Sequence, residues 1–198
     1  VGRTTSDGIH IQNDMMEKGD TTGPCCAEDI LRAPTVEVAV LETARGGILR
    51  SGLGFNRCDI AVVTNIQEDH LGISDIDTLD DLSRVKATVV KSVKKDGWAI
   101  LNAEDEYCVK IGEDLSCNVA YFSMDENHYL IKKLGKEGKI VAIYENGYIT
   151  IKKGEWKIRV ERATHVPLTM GGKAKFMIAN VLAATLASYL QGFKIEDI

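Results

Sequence analysis

Val62-Val63-Thr64-Asn65-Ile66-Gln67-Glu68-Asp69-His70-Leu71 is the stretch that decides the fold. A run of β-branched apolar residues breaks off into Asn, Asp and His. A parallel strand buried on both faces reads as such a run, and open α/β sheets place their ligands at the carboxyl ends of the strands. Val36-Glu37-Val38-Ala39-Val40-Leu41 ends in the same way at Glu42-Thr43. A carboxylate and an imidazole at the ends of neighbouring strands could hold a hard cation, with water and phosphate oxygens completing its shell.

Working outward, residues 1–13 read as a hairpin turning at Asp7-Gly8, with Ile9 and Ile11 alternating after it. Thr22 is placed to cap a helix that has Pro24 in its first turn and runs to about Leu31. The strand at 36–42 leads into a glycine-rich loop, 44–54, expected to contain a short helix. After the strand at 59–66, Thr78 and Asp81 have capping-box spacing, and Leu79, Leu82, Val85, Val89 and Val93 form one stripe of the helix that follows. Trp98 to Leu101 is a short strand, Glu104 to about Leu115 a helix and Val119 to Phe122 another strand. Strands at 140–144, 148–151 and 156–160 are joined by Asn146-Gly147 and Gly154-Glu155 as a small antiparallel meander. A helix over 174–190 follows, with Met177, Val181, Ala184 and Leu186 on its apolar side. The alternation predicts an α/β fold, a mostly parallel sheet flanked by helices with a small β-meander inserted. The organisation expected is a core at 1–138, the meander at 139–168 and a return helix at 169–198.

The 198 residues carry a formal net charge of −5, which argues against nucleic-acid binding through a basic surface. Lys132-Lys133 and Lys152-Lys153 read as solvated faces. No apolar run approaches the roughly 20 residues that span a bilayer, so no membrane partner is expected. Cys25, Cys26, Cys58, Cys108 and Cys117 are odd in number and lack metal spacing, which reads as reduced thiols in the cytoplasm. Glu42 either binds a metal, caps a turn or pairs with Arg45, because a carboxylate after an apolar strand is costly when unpartnered. His70 alone reads equally as a packed loop histidine, and Lys86 as an exposed helical lysine. No Gly-x-x-x-x-Gly-Lys-Ser/Thr phosphate loop occurs, and Gly171-Gly172-Lys173 does not supply one. With an opening Val1-Gly2-Arg3 that reads as the inside of an element, this suggests a piece of a longer protein.

Leu41-Glu42-Thr43-Ala44-Arg45-Gly46-Gly47-Ile48-Leu49-Arg50, Val63-Thr64-Asn65-Ile66 with Asp69-His70-Leu71, and Leu101-Asn102-Ala103-Glu104-Asp105 together resemble the central ATPase domain of the Mur ligase superfamily. The resemblance implies ATP-dependent amide formation. ATP phosphorylates a carboxylate, an amine attacks the acyl phosphate and phosphate leaves. It implies ATP and Mg2+ as cofactors, with Glu42 and His70 as magnesium ligands, and Lys86 as a third if carbamylated. It assigns Asn180 to the adenine, although Phe176-Met177 stands where the family has His-Asn, and Asn65 to the nucleotide as well. Thr4, Thr5 and Arg45 would face the substrate carboxylate. Within the family, the resemblance points to an enzyme that joins arginine to the β-carboxyls of a polyaspartate chain. Its partners would be an amino acid and a peptide or polymer carboxylate, and a homo-oligomer is compatible with it. Without its phosphate loop this stretch alone is expected to be inactive. The alternatives are a muramyl-peptide or folylpolyglutamate type of ligase, or a folded module without catalysis.

Overall fold

The computed structural model describes residues 1–68, 72 and 76–198. They pack as two compact units, Val1–Cys58 and Asp59–Ile198. In the first, β1 (Gly2–Thr4) and β2 (Gly8–Ile11) pair antiparallel, and the Thr5 N–H closes the turn on the Gly8 carbonyl at 3.1 Å. Gly8 has φ 154°, and a Cβ there would lie 2.1 Å from the Glu17 carbonyl oxygen, so only glycine fits. Glu17 belongs to β3 (Asp14–Lys18), an extra antiparallel strand that the sequence did not announce. All five of its residues are exposed, Met15 and Met16 among them, so no burial alternation marks it.

The helix expected after Thr22 is α1 (Pro24–Arg32), with Pro24 in its first turn. Its N-cap is Gly23 rather than Thr22. The Thr22 hydroxyl donates to Asp20 at 2.7 Å and is thereby taken from the helix. β4 (Ala39–Leu41) is shorter than the 36–42 run and pairs in parallel with β1, giving the order β3-β2-β1-β4. The expectation that this strand neighbours the 59–66 strand is therefore corrected. The open edge of the hairpin takes β4, and the two strands belong to different sheets. The glycine-rich stretch does contain a short helix, α2 (Arg45–Ser51).

The second unit runs through β5 (Cys58–Val63), α3 (Leu79–Lys91), β6 (Val93–Asn102), α4 (Glu106–Glu113), β7 (Asn118–Ser123), α5 (Tyr129–Lys136), β8 (Ile140–Glu145), β9 (Tyr148–Lys153), β10 (Trp156–Arg162) and α6 (Lys175–Leu190). The sheet order is β10-β9-β8-β7-β6-β5. β6, β7 and β8 are parallel, joined by the helical crossovers that parallel strands need. The meander β8-β9-β10 is antiparallel and continues the same sheet. Asn146 (φ 51°) and Gly147 (φ 84°) make the tight hairpin turn that the dipeptide signals. The mixed α/β architecture, a mostly parallel sheet flanked by helices, is the one expected.

The capping box at Thr78 is present in full. Of the expected stripe α3 buries Leu82, while Val85 and Val89 are half-buried and Ala87 and Val90 are the other buried positions. Both faces of this sheet are covered, and one part of the core lies between the sheet and α6. Ile100, Phe122, Ile140, Ala142, Ile149 and Ile151 meet Ile178, Leu182, Ala183 and Leu186 of α6. Ala184, expected on that side, is exposed. α6 is apolar nearly all round, so its sequence does not say which face turns inward. Among the described residues no helix is long and apolar enough to cross a membrane.

Candidate nucleotide and metal site

The carboxyl end of β5 is where the decisive stretch lies. A strand that leaves its ladder exposes backbone donors and acceptors, and leaving one buried and unpaired costs about 1–3 kcal/mol. Here four successive residues are each met by a side chain. The Cys108 thiol lies 3.7 Å from the Val63 carbonyl, and Asn102 Nδ2 donates to the Thr64 carbonyl at 3.0 Å. Lys86 Nζ donates to the Asn65 carbonyl at 3.0 Å, and the Ile66 N–H donates to Asp105 Oδ2 at 2.7 Å.

Each of these groups is itself held. Asp105 is the N-cap of α4, its Oδ1 accepting the Cys108 N–H at 2.9 Å. Asn102 ends β6, and its Oδ1 accepts the Glu104 N–H at 2.9 Å. Glu104 ties the end of β6 to that of β7, accepting from the Ser123 hydroxyl at 2.7 Å and from the Met124 and Asp125 N–H groups. Cys108 is fully buried, and desolvation pushes its thiol up to about 12, so it stays protonated and can donate.

Lys86 is half-buried in α3 and meets Asn65, so those two expected site residues come together. His70 lies outside the described residues, as do Asp69 and Leu71. Asn180 sits on an exposed position of α6, its Nδ2 3.8 Å from Met177 Sδ one turn earlier.

The other expected residues belong to the first unit. Glu42 follows β4 and is exposed, so the burial argument for a partner does not apply to it. Its N–H donates to the Thr4 carbonyl at 3.1 Å, and its Oε2 accepts the Ser6 N–H at 3.0 Å. The carboxylate thus caps the turn between β1 and β2 rather than a turn after its own strand. Its Oε1 meets only the Ser6 hydroxyl, at 3.4 Å, among the hydrogen bonds of the described residues. Thr5 closes the same turn, its hydroxyl donating to the Gly8 carbonyl and accepting the Asp7 N–H, both at 3.2 Å. Thr4 is 1% exposed, with a buried hydroxyl that has no partner among the described residues. Arg45 opens α2. Among the described residues no group of three His, Cys, Asp or Glu side chains is placed to hold a metal.

Asn102, Asp105 and Cys108 join the site only in the folded structure. An N-cap aspartate before Glu106 is legible in sequence. Its second bond, to a backbone group 39 residues away, is not.

A model of the Mur ligase middle domain matches residues 9–188. The chain belongs to the Mur ligase middle-domain family. Its similarity is strong to the cyanophycin synthetases of Trichormus variabilis, 54% identical over 198 residues, and Synechocystis sp., 50% identical over the same length. All of this Mur ligase domain is covered in both cases, but only 22% and 23% of those relatives. The chain therefore spans about a fifth of the length of the curated relatives it matches. The UDP-N-acetylmuramate–L-alanine ligase of Acetivibrio thermocellus is 28% identical over 144 residues, 70% of this chain and 27% of that protein. A crystal structure of MurF from Acinetobacter baumannii shares the fold, with a TM-score of 0.52 at 19% identity over 80% of this chain and 32% of that one. The resemblance carried by 41–50, 63–71 and 101–105 is thus borne out.

Proposed function

We propose that this domain is part of a longer cytoplasmic ATP-dependent ligase that joins arginine to an aspartate β-carboxyl in cyanophycin synthesis. The observation that carries the reading is similarity along the whole chain to cyanophycin synthetases, at 50–54% identity, on top of the family match over residues 9–188. In the reaction the γ-phosphoryl group passes to the carboxylate, the amine attacks the acyl carbon and phosphate leaves. Both reactants of the first step are anionic, so positive charge must stand where they meet. Bound Mg2+ would supply it.

The Glu42 carboxylate is the donor whose chemistry fits that ion. Glu42 presents an exposed carboxylate whose Oε1 is only weakly engaged, the kind of oxygen a hard cation takes, and His70 is the second ligand in this reading. Lys86 joins them only as a carbamate; as an ammonium it donates to the Asn65 carbonyl. Asn180 is assigned to the adenine and Asn65 to the nucleotide, with Thr5 and Arg45 toward the substrate carboxylate. Thr4 is assigned to the same carboxylate, although it is 1% exposed and its hydroxyl is buried. A second reading, a muramyl-peptide ligase, is favoured by the 28% match to the L-alanine-adding enzyme.

The test uses the full-length protein, MgATP, arginine and an aspartate-terminated primer. Glu42→Ala and His70→Ala should each lower arginine incorporation by at least about 100-fold, as expected for loss of charge stabilisation at the transferring group. Near-native incorporation in both variants would sink the metal assignment. In the same assay residues 1–198 alone should release no ADP.

A further inference from the structure

We propose that Asp105 and Asn102 are positioning residues for the nucleotide and metal site, holding the backbone that leads into His70. The inference rests on the reading of His70 as a metal ligand. Residues 64–66 stand four to six positions before that histidine, past the end of β5 and therefore outside the sheet ladder. Their path is set from the side. Asn102 Nδ2 takes the Thr64 carbonyl at 3.0 Å, and Asp105 Oδ2 takes the Ile66 N–H at 2.7 Å. The two bonds have opposite polarity and grip the segment on either side of Asn65, whose carbonyl goes to Lys86.

Both side chains use their other atom on their own loop, Asn102 on the Glu104 N–H and Asp105 on the Cys108 N–H. Each is therefore anchored at one end and directed at the strand end with the other. A group that orients a ligand-bearing segment contributes to metal affinity although it never touches the ion. A plain helix cap needs only the Cys108 contact. The second Asp105 oxygen, spent on a residue 39 positions away, is what a cap alone leaves unexplained.

Two isosteric exchanges separate the roles. Asp105→Asn keeps an oxygen for the cap, since Asn and Asp cap equally well, but turns an N–H toward the Ile66 N–H. Asn102→Asp keeps the bond from the Glu104 N–H but turns an oxygen toward the Thr64 carbonyl. In the full-length protein, Mn2+ binding with a non-hydrolysable ATP analogue is followed by electron paramagnetic resonance, beside the Mg2+ dependence of turnover and thermal unfolding. Either exchange should weaken Mn2+ binding by about 10-fold, as outer-shell substitutions do. It should raise the Mg2+ concentration for half-maximal turnover in parallel, with a melting temperature lowered by a few degrees at most for the unpaired backbone group. Both measurements are made well below that temperature, where the variants are fully folded. Native Mn2+ affinity in both variants, or a loss only in proportion to lost folded protein, overturns the inference. His70→Ala is measured alongside. If it abolishes binding while both exchanges leave it intact, the positioning role alone fails. If it leaves binding intact, the metal reading fails instead.

Discussion

Glu145 closes β8 with a side chain only 9% exposed, and Lys157 Nζ lies 2.9 Å from both of its oxygens. The Lys157 bond holds this carboxyl below its ordinary value of 4.5, with Arg159 adding to the effect. A depressed folded value means that the unfolded chain takes up the proton first as pH falls. The pair's contribution is then fully present above about pH 4.5 and fades as pH drops through the folded value. Glu145→Gln should lower stability at pH 7 by about 1 kcal/mol, a discounted figure because Lys157 is half exposed. That deficit should shrink steadily below pH 4.5 in thermal melts, and a deficit independent of pH would refute the assignment. At this scale the sequence is a good guide to chemical kind and a poor one to surroundings. Glu42 was legible as a carboxylate at a strand end, but its exposure and its hold on Ser6 depend on a hairpin 36 residues away. Lys86 reads as an ordinary helical lysine, and only the fold shows its ammonium on the Asn65 carbonyl.

Elements were legible where a signal is local. In α3, Thr78 Oγ1 accepts the Asp81 N–H at 3.1 Å while Asp81 Oδ2 accepts the Thr78 N–H at 3.2 Å, so two orphan donors of the first turn are satisfied within four residues. Thr78→Ala should cost about 1 kcal/mol, lowering the melting temperature by about 2–4 °C. Thr78→Ser should recover most of it. Equal losses in the two variants would show that the methyl group, not the cap, stabilises the turn. The Asn146-Gly147 hairpin was readable for the same reason, since its two residues by themselves set the turn. α5 was not foreseen. Leu130, Ile131 and Leu134 do recur at helical spacing, but the segment has only eight residues, Gly135 among them, and no side-chain cap at His128 to mark its start. It is held by burial of Ile131, a tertiary effect. β6 begins at Val93 rather than Trp98 because its polar opening, Lys94-Lys95-Asp96, conceals an extended segment.

On the scale of the whole second unit, β6 through β9 share one core with α6. Leu182 is fully buried in it. Leu182→Ala should cost about 2–5 kcal/mol through lost burial and the cavity left behind. Because the meander and the parallel strands rest on that same helix, amide exchange should quicken in β7 and β9 together. Continued protection of β7 with loss in β9 alone would show that the meander is a separately stable addition. The sequence by itself determined the strand and helix periods, the capping box, the Asn-Gly turn and the family motifs. All of these rest on steric preferences and hydrogen bonds a few residues apart, or on residue identities alone. Only the tertiary structure decided that β4 joins β1 and not β5, which face of α6 turns inward, and that Asn102, Lys86, Asp105 and Cys108 converge on 63–66. Those choices follow from burying every apolar face and pairing every buried backbone group at once, a condition that no short window of sequence contains.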